Sequence, residues 1–310
     1  MTRAVWTLLA GLALLGGTVA GQSPAADEAS RLLRGTIDIH VHADPDNVPR
    51  SIDALDVAKL SLARGMRGIV LKNHYESTAS LAFLARKVAP GLEAFGGIDL
   101  NLTVGGMNSI AVEHMTHVAG GWARIVWMST FDAENNVRYA KETRPFVRVS
   151  RDGELLPETR AVIAAIASNR LTLATGHVSA AEGLMLLREG RKQGVAHMIV
   201  THAMNPPIVM SVAQMQEAAS LGAFIEFVGG SMTAADAAAR VDRFADAIRR
   251  IGPASCILSS DLGQKGNALP PDGYAAFLVA LRAKGFSEQE LDVMSRKNPA
   301  AVLRADEPRP

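Results

Sequence analysis

The stretch Thr36-Ile37-Asp38-Ile39-His40-Val41-His42 (residues 36–42) decides how the rest of the chain is interpreted. Its β-branched residues alternate with polar ones, which is the pattern of a β-strand, and a strand sends every second side chain to the same side. His40 and His42 therefore share one side, about 7 Å apart along the strand. Two imidazoles in this arrangement can bind one metal ion as neighbouring ligands, with a hydrogen-bonded pair of core histidines as the alternative.

Seven more short apolar runs follow, separated by longer stretches with helical periodicity. The eight predicted strands are Thr36–Val41, Gly68–Lys72, Ala94–Leu100, Ala123–Met128, Leu171–Thr175, His197–Thr201, Ala223–Val228 and Cys256–Ser259. This alternation predicts an α/β fold, a single-domain (β/α)8 TIM-like barrel over residues 35–310, with an open doubly wound sheet as the alternative. A hairpin with an Asp152-Gly153 turn is predicted within the long insertion 131–157.

Residues 1–21 have the pattern of a secretory signal peptide. Arg3 precedes an apolar run from Ala4 to Leu15, and small residues follow it. The apolar run is short for a membrane-spanning helix, although a retained anchor is the alternative. We therefore expect cleavage that leaves a polar lead-in at 22–34, no stable membrane span, and a periplasmic or secreted bacterial protein.

The composition limits the classes of function. The 310 residues include 32 basic and 31 acidic side chains, and 48% are hydrophobic. A near-neutral chain lacks the basic excess of a nucleic-acid-binding protein, and this hydrophobic content suffices for a large core. The single cysteine, Cys256, excludes an internal disulfide and a cysteine-based zinc site within one chain. The expected partner is a small-molecule substrate, and the composition is compatible with a homo-oligomer.

Ionisable side chains stand at the ends of five predicted strands, where the catalytic groups of such barrels lie. Burying each one alone would cost several kcal/mol, whereas a shared divalent cation would satisfy them together. The sequence therefore predicts a metal site. Its candidate ligands are His40, His42, Lys72, His74, His177, His202 and Asp261.

In this order, these motifs resemble the amidohydrolase superfamily of metal-dependent hydrolases. The matching elements are His-x-His at 40–42, Thr-Gly-His at 175–177, Thr-His at 201–202, Ser-Asp at 260–261 and the closing Asn-Pro-Ala-Ala-Val-Leu at 298–303. The chain is most similar to a poorly characterised branch with Lys-x-His after the second strand. The resemblance implies that His40, His42 and Asp261 hold one divalent ion, expected to be zinc, joined by His177 in mononuclear members. In binuclear members, His177 and His202 hold a second ion.

The fourth strand departs from the family pattern. Binuclear members carry a bridging carbamylated lysine there, whereas residues 125–130 of this chain read Ile-Val-Trp-Met-Ser-Thr. Lys72 could be a displaced carbamate bridge or a cation that orients the substrate. The sequence is therefore compatible with either one or two metal ions in the site. Residues 65–74 also resemble polymerase-and-histidinol-phosphatase-like phosphoesterases, whose second motif ends in Asp-His where this chain has Asn73-His74.

The resemblance implies hydrolysis of a small cyclic amide, lactone or other acyl compound by metal-activated water. Asp261 would be the general base, and His202 or Lys72 would stabilise the oxyanion. Candidate substrate-binding residues near the strand ends are Arg50, Asn73, Tyr75, Trp127 and Asn205. The alternatives are a metal-dependent phosphoesterase, a metal-dependent lyase such as a decarboxylase, and a periplasmic binding protein without chemistry.

Overall fold

The computed structural model describes residues 24–307. The expected signal peptide at 1–21 lies outside these residues and stays a prediction. Within the described range, no helix combines the length and the hydropathy needed to cross a membrane.

Eight parallel strands form a barrel, and each pairs with its neighbour in chain order. Their bounds are β1 Ile37–His42, β2 Gly68–Lys72, β3 Glu93–Asp99, β4 Ala123–Trp127, β7 Thr172–Ala174, β8 His197–Val200, β9 Ala223–Val228 and β10 Cys256–Ser259. The ring closes beyond β10, where the His42 amide donates to Leu262 O at 2.8 Å and the Asp261 amide donates to His40 O at 3.0 Å. The strand order never reverses, which excludes the doubly wound sheet and confirms the predicted barrel.

Helices connect the strands and cover the barrel. They are α1 Pro24–Leu33, α2 Ala54–Ala63, α3 Ala79–Val88, α4 Ser109–Thr116, α5 Glu134–Tyr139, α6 Pro157–Ser168, α7 Ala180–Lys192, α8 Val212–Ser220, α9 Ala237–Ile251, α10 Pro270–Ala283, α11 Glu288–Asp292 and α12 Asn298–Leu303. Local chemistry fixes several of their starts. Asp53 accepts hydrogen bonds from the amides of Leu55 and Asp56 at α2, and Ser179 and Glu182 form a capping box at α7.

Two apolar clusters hold the fold together. The larger one lies between the strands and the surrounding helices and includes Leu187 and Phe277, both fully buried. The smaller one joins strand residues such as Ile125 and Ile257 to Val302 of α12. The C-terminal helix is therefore part of the core of the barrel.

Two further segments bear on the sequence interpretation. The lead-in at 22–34 contains helix α1, which packs against α10 and buries Leu32 and Leu33. The hairpin predicted in the insertion 131–157 is confirmed as β5 Ser150–Arg151 and β6 Glu154–Leu155. Asp152 and Gly153 both have positive φ, at 51° and 81°, as a tight two-residue turn requires.

Candidate functional site

A cavity of about 340 Å³ opens at the C-terminal ends of the barrel strands. Five histidines and one aspartate from the ends of β1, β2, β7, β8 and β10 face it. Its lining consists of His40, His42, Val48, Arg50, His74, Phe131, Asn136, His177, His202, Asn205, Pro206, Pro207, Asp261 and Gln264. The structure thus brings six of the seven predicted metal ligands to one cavity; Lys72 lies outside its lining.

His40, His42 and Asp261 form a compact triad in this cavity. Asp261 Oδ1 lies 3.3 Å from Nε2 of His40 and 3.2 Å from Nε2 of His42. Their ligand atoms fall within 4.8 Å of one another. Both rings are almost fully buried, and the Asp261 side chain is 25% exposed. Two imidazole nitrogens and a carboxylate oxygen are a donor set suited to zinc and similar divalent ions.

A buried glutamate fixes the orientation of His40. Glu226 of β9 is 1% exposed, and its Oε1 lies 3.0 Å from Nδ1 of His40. The same carboxylate accepts from the Ser259 hydroxyl at 2.7 Å and from the His202 amide at 2.9 Å. In the neutral ring, Nδ1–H donates to the carboxylate, so Nε2 carries the lone pair and points to the triad. Such a carboxylate–histidine pair is a common outer partner of metal-binding imidazoles.

His177 and His202 form a second pair beside the triad, with their Nε2 atoms 3.1 Å apart. Nδ1 of His177 lies 3.3 Å from Oδ1 of Asn136, whose amide nitrogen donates to Phe131 O at 3.0 Å. The Phe131 contact orients the amide, so Asn136 accepts from Nδ1–H and leaves a lone pair on Nε2 of His177. His202 Nδ1 and His42 Nδ1 are buried without a hydrogen-bond partner among the described residues.

Lys72 and His74 converge on one buried carboxylate, Asp99, at the end of β3. Asp99 Oδ2 lies 3.0 Å from Lys72 Nζ and 3.2 Å from His74 Nδ1. It also accepts from the Thr130 hydroxyl at 3.0 Å. Lys72 is 1% exposed and Asp99 is fully buried, so the lysine acts on the cavity only through its neighbours. His74 lines the cavity and stacks on Phe131 with ring centroids 3.7 Å apart.

Burial and charge set the protonation of these groups. Burial lowers the pKa of His42 to about 3 and also lowers those of His74, His177 and His202, which keeps these rings neutral, the form that binds metals. Burial opposes charge on His40 too, but the carboxylates of Asp261 and Glu226 outweigh it and raise that pKa. Burial would likewise raise the pKa of Asp261, but the His40 and His42 rings hold it well below its usual range. The flanking carboxylates thus favour a positive charge at the triad.

Two site residues have a left-handed backbone. His202 has φ of 24° and Asp261 has φ of 50°. Such conformations are uncommon outside glycine and concentrate at functional sites. In both cases the positive φ falls on a cavity-lining residue two positions after the last residue of a strand.

The five predicted substrate-binding residues separate into two groups. Arg50 and Asn205 line the cavity. Asn73 instead donates to Pro45 O at 3.0 Å and accepts from the Tyr75 amide, so it shapes its own loop. Tyr75 is half-buried outside the lining, and Trp127 is 2% exposed with its ring 6.3 Å from that of His40.

Sequence reasoning missed two buried acids that organise the site, Glu226 and Asp99. Glu226 stands between Ile225 and Phe227 in an apolar strand, and Asp99 follows Ile98 at a strand end. An isolated carboxylate in a run of buried residues needs a charged partner, and this signal would have pointed to both. Phe131 and Asn136 of the insertion 131–157 also reach the cavity, whereas the arginine side chains of that insertion do not line it.

The fold belongs to a class of barrels with known solved examples. They include an amidohydrolase from Pseudomonas aeruginosa, with a TM-score of 0.60 and 13% identity over 90% of this chain and 98% of that one. An organophosphorus hydrolase from Deinococcus radiodurans has a TM-score of 0.57 and 14% identity, over 89% of this chain and 93% of that one. The 2,6-dihydroxybenzoate decarboxylase from Rhizobium has a TM-score of 0.52 and 14% identity, over 88% of this chain and 100% of that one. These similarities confirm the resemblance to the amidohydrolase superfamily at the level of the fold.

The sequence itself matches one family model. Residues 35–226 match a family of unknown function, DUF6282, and the chain belongs to that family. The matched range contains His40, His42, His177, His202 and Glu226, and it ends before Asp261. No curated protein sequence matches the chain.

Proposed function

We propose that the protein is a divalent-metal-dependent hydrolase that acts on a small cyclic amide, lactone or other acyl compound. The observation that carries this proposal is the triad of His40, His42 and Asp261 at the C-terminal ends of the barrel strands. Active sites of this architecture lie at that face. The fold shared with hydrolases and with a decarboxylase agrees with an enzymatic role.

The residues present fit a metal ion. His40 Nε2, His42 Nε2 and Asp261 Oδ1 offer three donors, and Glu226 holds the first of them in the tautomer that binds. Nitrogen and carboxylate donors favour zinc, which we propose as the ion. Such an ion lowers the pKa of a water molecule towards neutrality and polarises a carbonyl oxygen.

We propose a single ion per chain. Among residues 24–307, the triad is the group whose ligand atoms come together this closely. A carbamate on Lys72 would replace the cation beside Asp99, whose Oδ2 lies 3.0 Å from Nζ, with an anion. An ammonium suits that carboxylate and a carbamate does not. Lys72 is therefore a positioning residue that holds Asp99, and Asp99 in turn holds His74.

The chain's own residues divide the remaining work. Asp261 is ionised because its neighbours depress its pKa, and its partly exposed carboxylate accepts a proton from water in the cavity. His202 faces the cavity with its Nε2 3.1 Å from the Nε2 lone pair of His177, and His202 Nε2–H is the donor to the substrate carbonyl oxygen in this proposal. Phe131 and Pro206 form an apolar wall that limits the access of water.

Product analysis tests this function. Metal-loaded protein is incubated with lactams, lactones, phosphate esters and aromatic carboxylic acids, and products are identified by mass. We expect addition of water to a lactam or lactone, loss of turnover with a chelator, and a fall in kcat of about 100-fold or more in Asp261→Asn. The exposed Asp246→Asn on α9 is the matched control. Turnover of phosphate esters alone would replace the proposal with a phosphoesterase, and release of CO₂ would replace it with a lyase.

A further inference from the structure

We infer that the cavity binds ligands through a carboxylate, and that Arg50 is the residue that recognises it. The inference rests on the proposed function in that the ligand is the substrate of the same site. It adds the chemical class of that substrate, a small acyl compound bearing a carboxylate.

Arg50 is unusually buried for an arginine at a cavity. Its side chain is 3% exposed, the lowest value among the ion-paired arginines of residues 24–307, and the side chain of its partner Asp46 is fully buried. Burying such a pair costs free energy through desolvation, so stability alone is a weak reason for it. Arg50 nevertheless lines the cavity that contains the triad.

The pairing with Asp46 uses one edge of the guanidinium. Nε donates to Asp46 Oδ2 at 2.8 Å and Nη2 donates to the same oxygen at 2.5 Å. Among the described residues, no hydrogen bond reaches Nη1. The end-on edge formed by Nη1 and the second hydrogen of Nη2 is therefore available. That edge matches a carboxylate in the planar, two-bond geometry that arginine prefers.

Two segments hold the backbone at Arg50 in place, one containing Asp44 and the other containing Gly263 and Gln264. Its amide donates to Asp44 Oδ1 at 3.3 Å. The next residue, Ser51, donates its amide to Gly263 O at 2.8 Å, and Arg50 itself pairs with Gln264 in an antiparallel bridge. Gly263 and Gln264 follow Asp261, so the guanidinium and the proposed general base belong to one rigid unit. Such pre-organisation lowers the cost of ordering a binding group.

The charge balance favours a monoanion over a dianion. Asp46 already offsets the charge of Arg50, so the proposed divalent ion together with Asp261 leaves about one net positive charge among the groups that line the cavity. A phosphate monoester would bring close to two negative charges, whereas a carboxylate brings one. Asn205 adds an amide for which no side-chain hydrogen bond is found in residues 24–307, and it offers a further donor to the same ligand.

Binding of matched probe pairs tests the inference without requiring turnover. The probes are pyroglutamate with pyrrolidinone, carboxylated butyrolactone with butyrolactone, and benzoate with benzamide; phenyl phosphate is a separate arm. Dissociation constants are measured by calorimetry on the metal-loaded full chain. We expect at least one acid to bind about tenfold tighter than its neutral twin, the value of a charged hydrogen-bonded pair.

The variants are chosen so that the fold survives. Arg50→Gln is combined with Asp46→Asn, because the single change would leave a buried carboxylate unpaired. We expect this double variant to bind acid and neutral twin within about twofold, and Arg50→Lys to keep part of the preference because it keeps charge but loses the planar fork. Arg148→Gln, an exposed arginine paired with Glu134 outside the cavity, is the control. Thermal unfolding checks that each variant is folded.

Three results would overturn the inference. One is that no acid binds more tightly than its twin; another is a preference that persists in the Arg50 and Asp46 double variant. The third is an Arg50-dependent preference for phenyl phosphate alone. Each differs from a failure of the proposed function, since hydrolysis of neutral lactams would leave that function standing without the carboxylate.

Discussion

Glu226 Oε1 lies 3.0 Å from Nδ1 of His40, so a carboxylate from β9 sets the tautomer of a ring from β1. The same glutamate accepts the His202 amide through Oε2. One buried side chain therefore organises both the triad and the histidine pair beside it. This explains why an acid occupies an otherwise apolar strand.

Replacing Glu226 by glutamine tests that role. Glutamine has one oxygen where glutamate has two, so it cannot accept from His40 or Ser259 at one end and from the His202 amide at the other. We expect Glu226→Gln to lower zinc affinity by about 10- to 100-fold, measured by competition with a fluorescent chelator. The exposed Glu217→Gln on α8 serves as the control. Equal affinity in the two variants would show that Glu226 does not orient the ligand.

The ion pair between Lys72 and Asp99 can be tested by a double-mutant cycle. Lys72→Met leaves Asp99 buried without its cation, and we expect a loss of about 3–5 kcal/mol in the free energy of unfolding, measured in urea. Adding Asp99→Asn removes the stranded charge and recovers at least half of that loss. If the two changes were simply additive, the pair would not be the ammonium–carboxylate contact described here. A metal content that rises with added bicarbonate would instead indicate a carbamate.

Asp38 gives a pH dependence of stability. Burial raises its pKa from 3.8 to about 6, so the folded protein holds this proton more tightly than the unfolded chain does. The protonated Asp38 carboxyl makes its full contribution to the free energy of unfolding below pH 3.8. This contribution is lost as the pH rises through 6. Asp38→Asn cannot ionise, so we expect it to gain up to about 3 kcal/mol relative to the native chain between pH 4 and pH 8. Urea unfolding of the metal-free proteins measures this.

An asparagine at the exposed position Asp246 is the control for the pH experiment. The free energy of unfolding of Asp246→Asn should change with pH in the same way as that of the native chain. A constant difference between Asp38→Asn and the native chain at the two pH values would refute the raised pKa of Asp38.

Gly263 permits the closure of the barrel next to Asp261. Its φ is 127°, and a Cβ there would lie 1.9 Å from His42 O. Gly266 in the same loop also has positive φ, at 92°, but a Cβ there would meet nothing within 4 Å. We expect Gly266→Ala to cost about 1–2 kcal/mol from backbone strain alone and Gly263→Ala to cost clearly more. Similar melting temperatures for the two variants would show that the close approach to His42 can relax.

Much of the fold follows from local pattern. The predicted strand Ala223–Val228 has the observed bounds, and the predicted Thr36–Val41 differs by one residue at each end from Ile37–His42. Alternation along β1 correctly placed His40 and His42 on one cavity, although the strand carries an irregularity in register between Asp38 and Val41. Strand periodicity is a property of neighbours in sequence, and for this reason it can be read from the chain alone.

The parts that escaped prediction depend on contacts between distant segments. Lys72 was a candidate metal ligand, but its partner is Asp99 on the adjacent strand, and no local pattern states that the two side chains meet. Trp127 was expected to contact substrate, but it is buried beside Lys72, with Nζ 5.4 Å from the ring centroid. Glu226 and His40 likewise meet only because the barrel closes. The sequence pattern predicts on which side of its strand a side chain lies. Which side chains of different strands meet depends on the register between the strands, which the pattern does not give.

The metal content of the purified protein tests the central claim most directly. The native chain, the His42→Asn/Asp261→Asn double variant and His114→Asn, a control on the exposed face of α4, are loaded with zinc, dialysed and analysed by mass spectrometry for metal per chain. We expect about one zinc in the native chain and in the control, and almost none in the folded double variant. A native chain that retains no divalent ion, or a double variant that retains as much as the native chain, would contradict a metal centre at His40, His42 and Asp261.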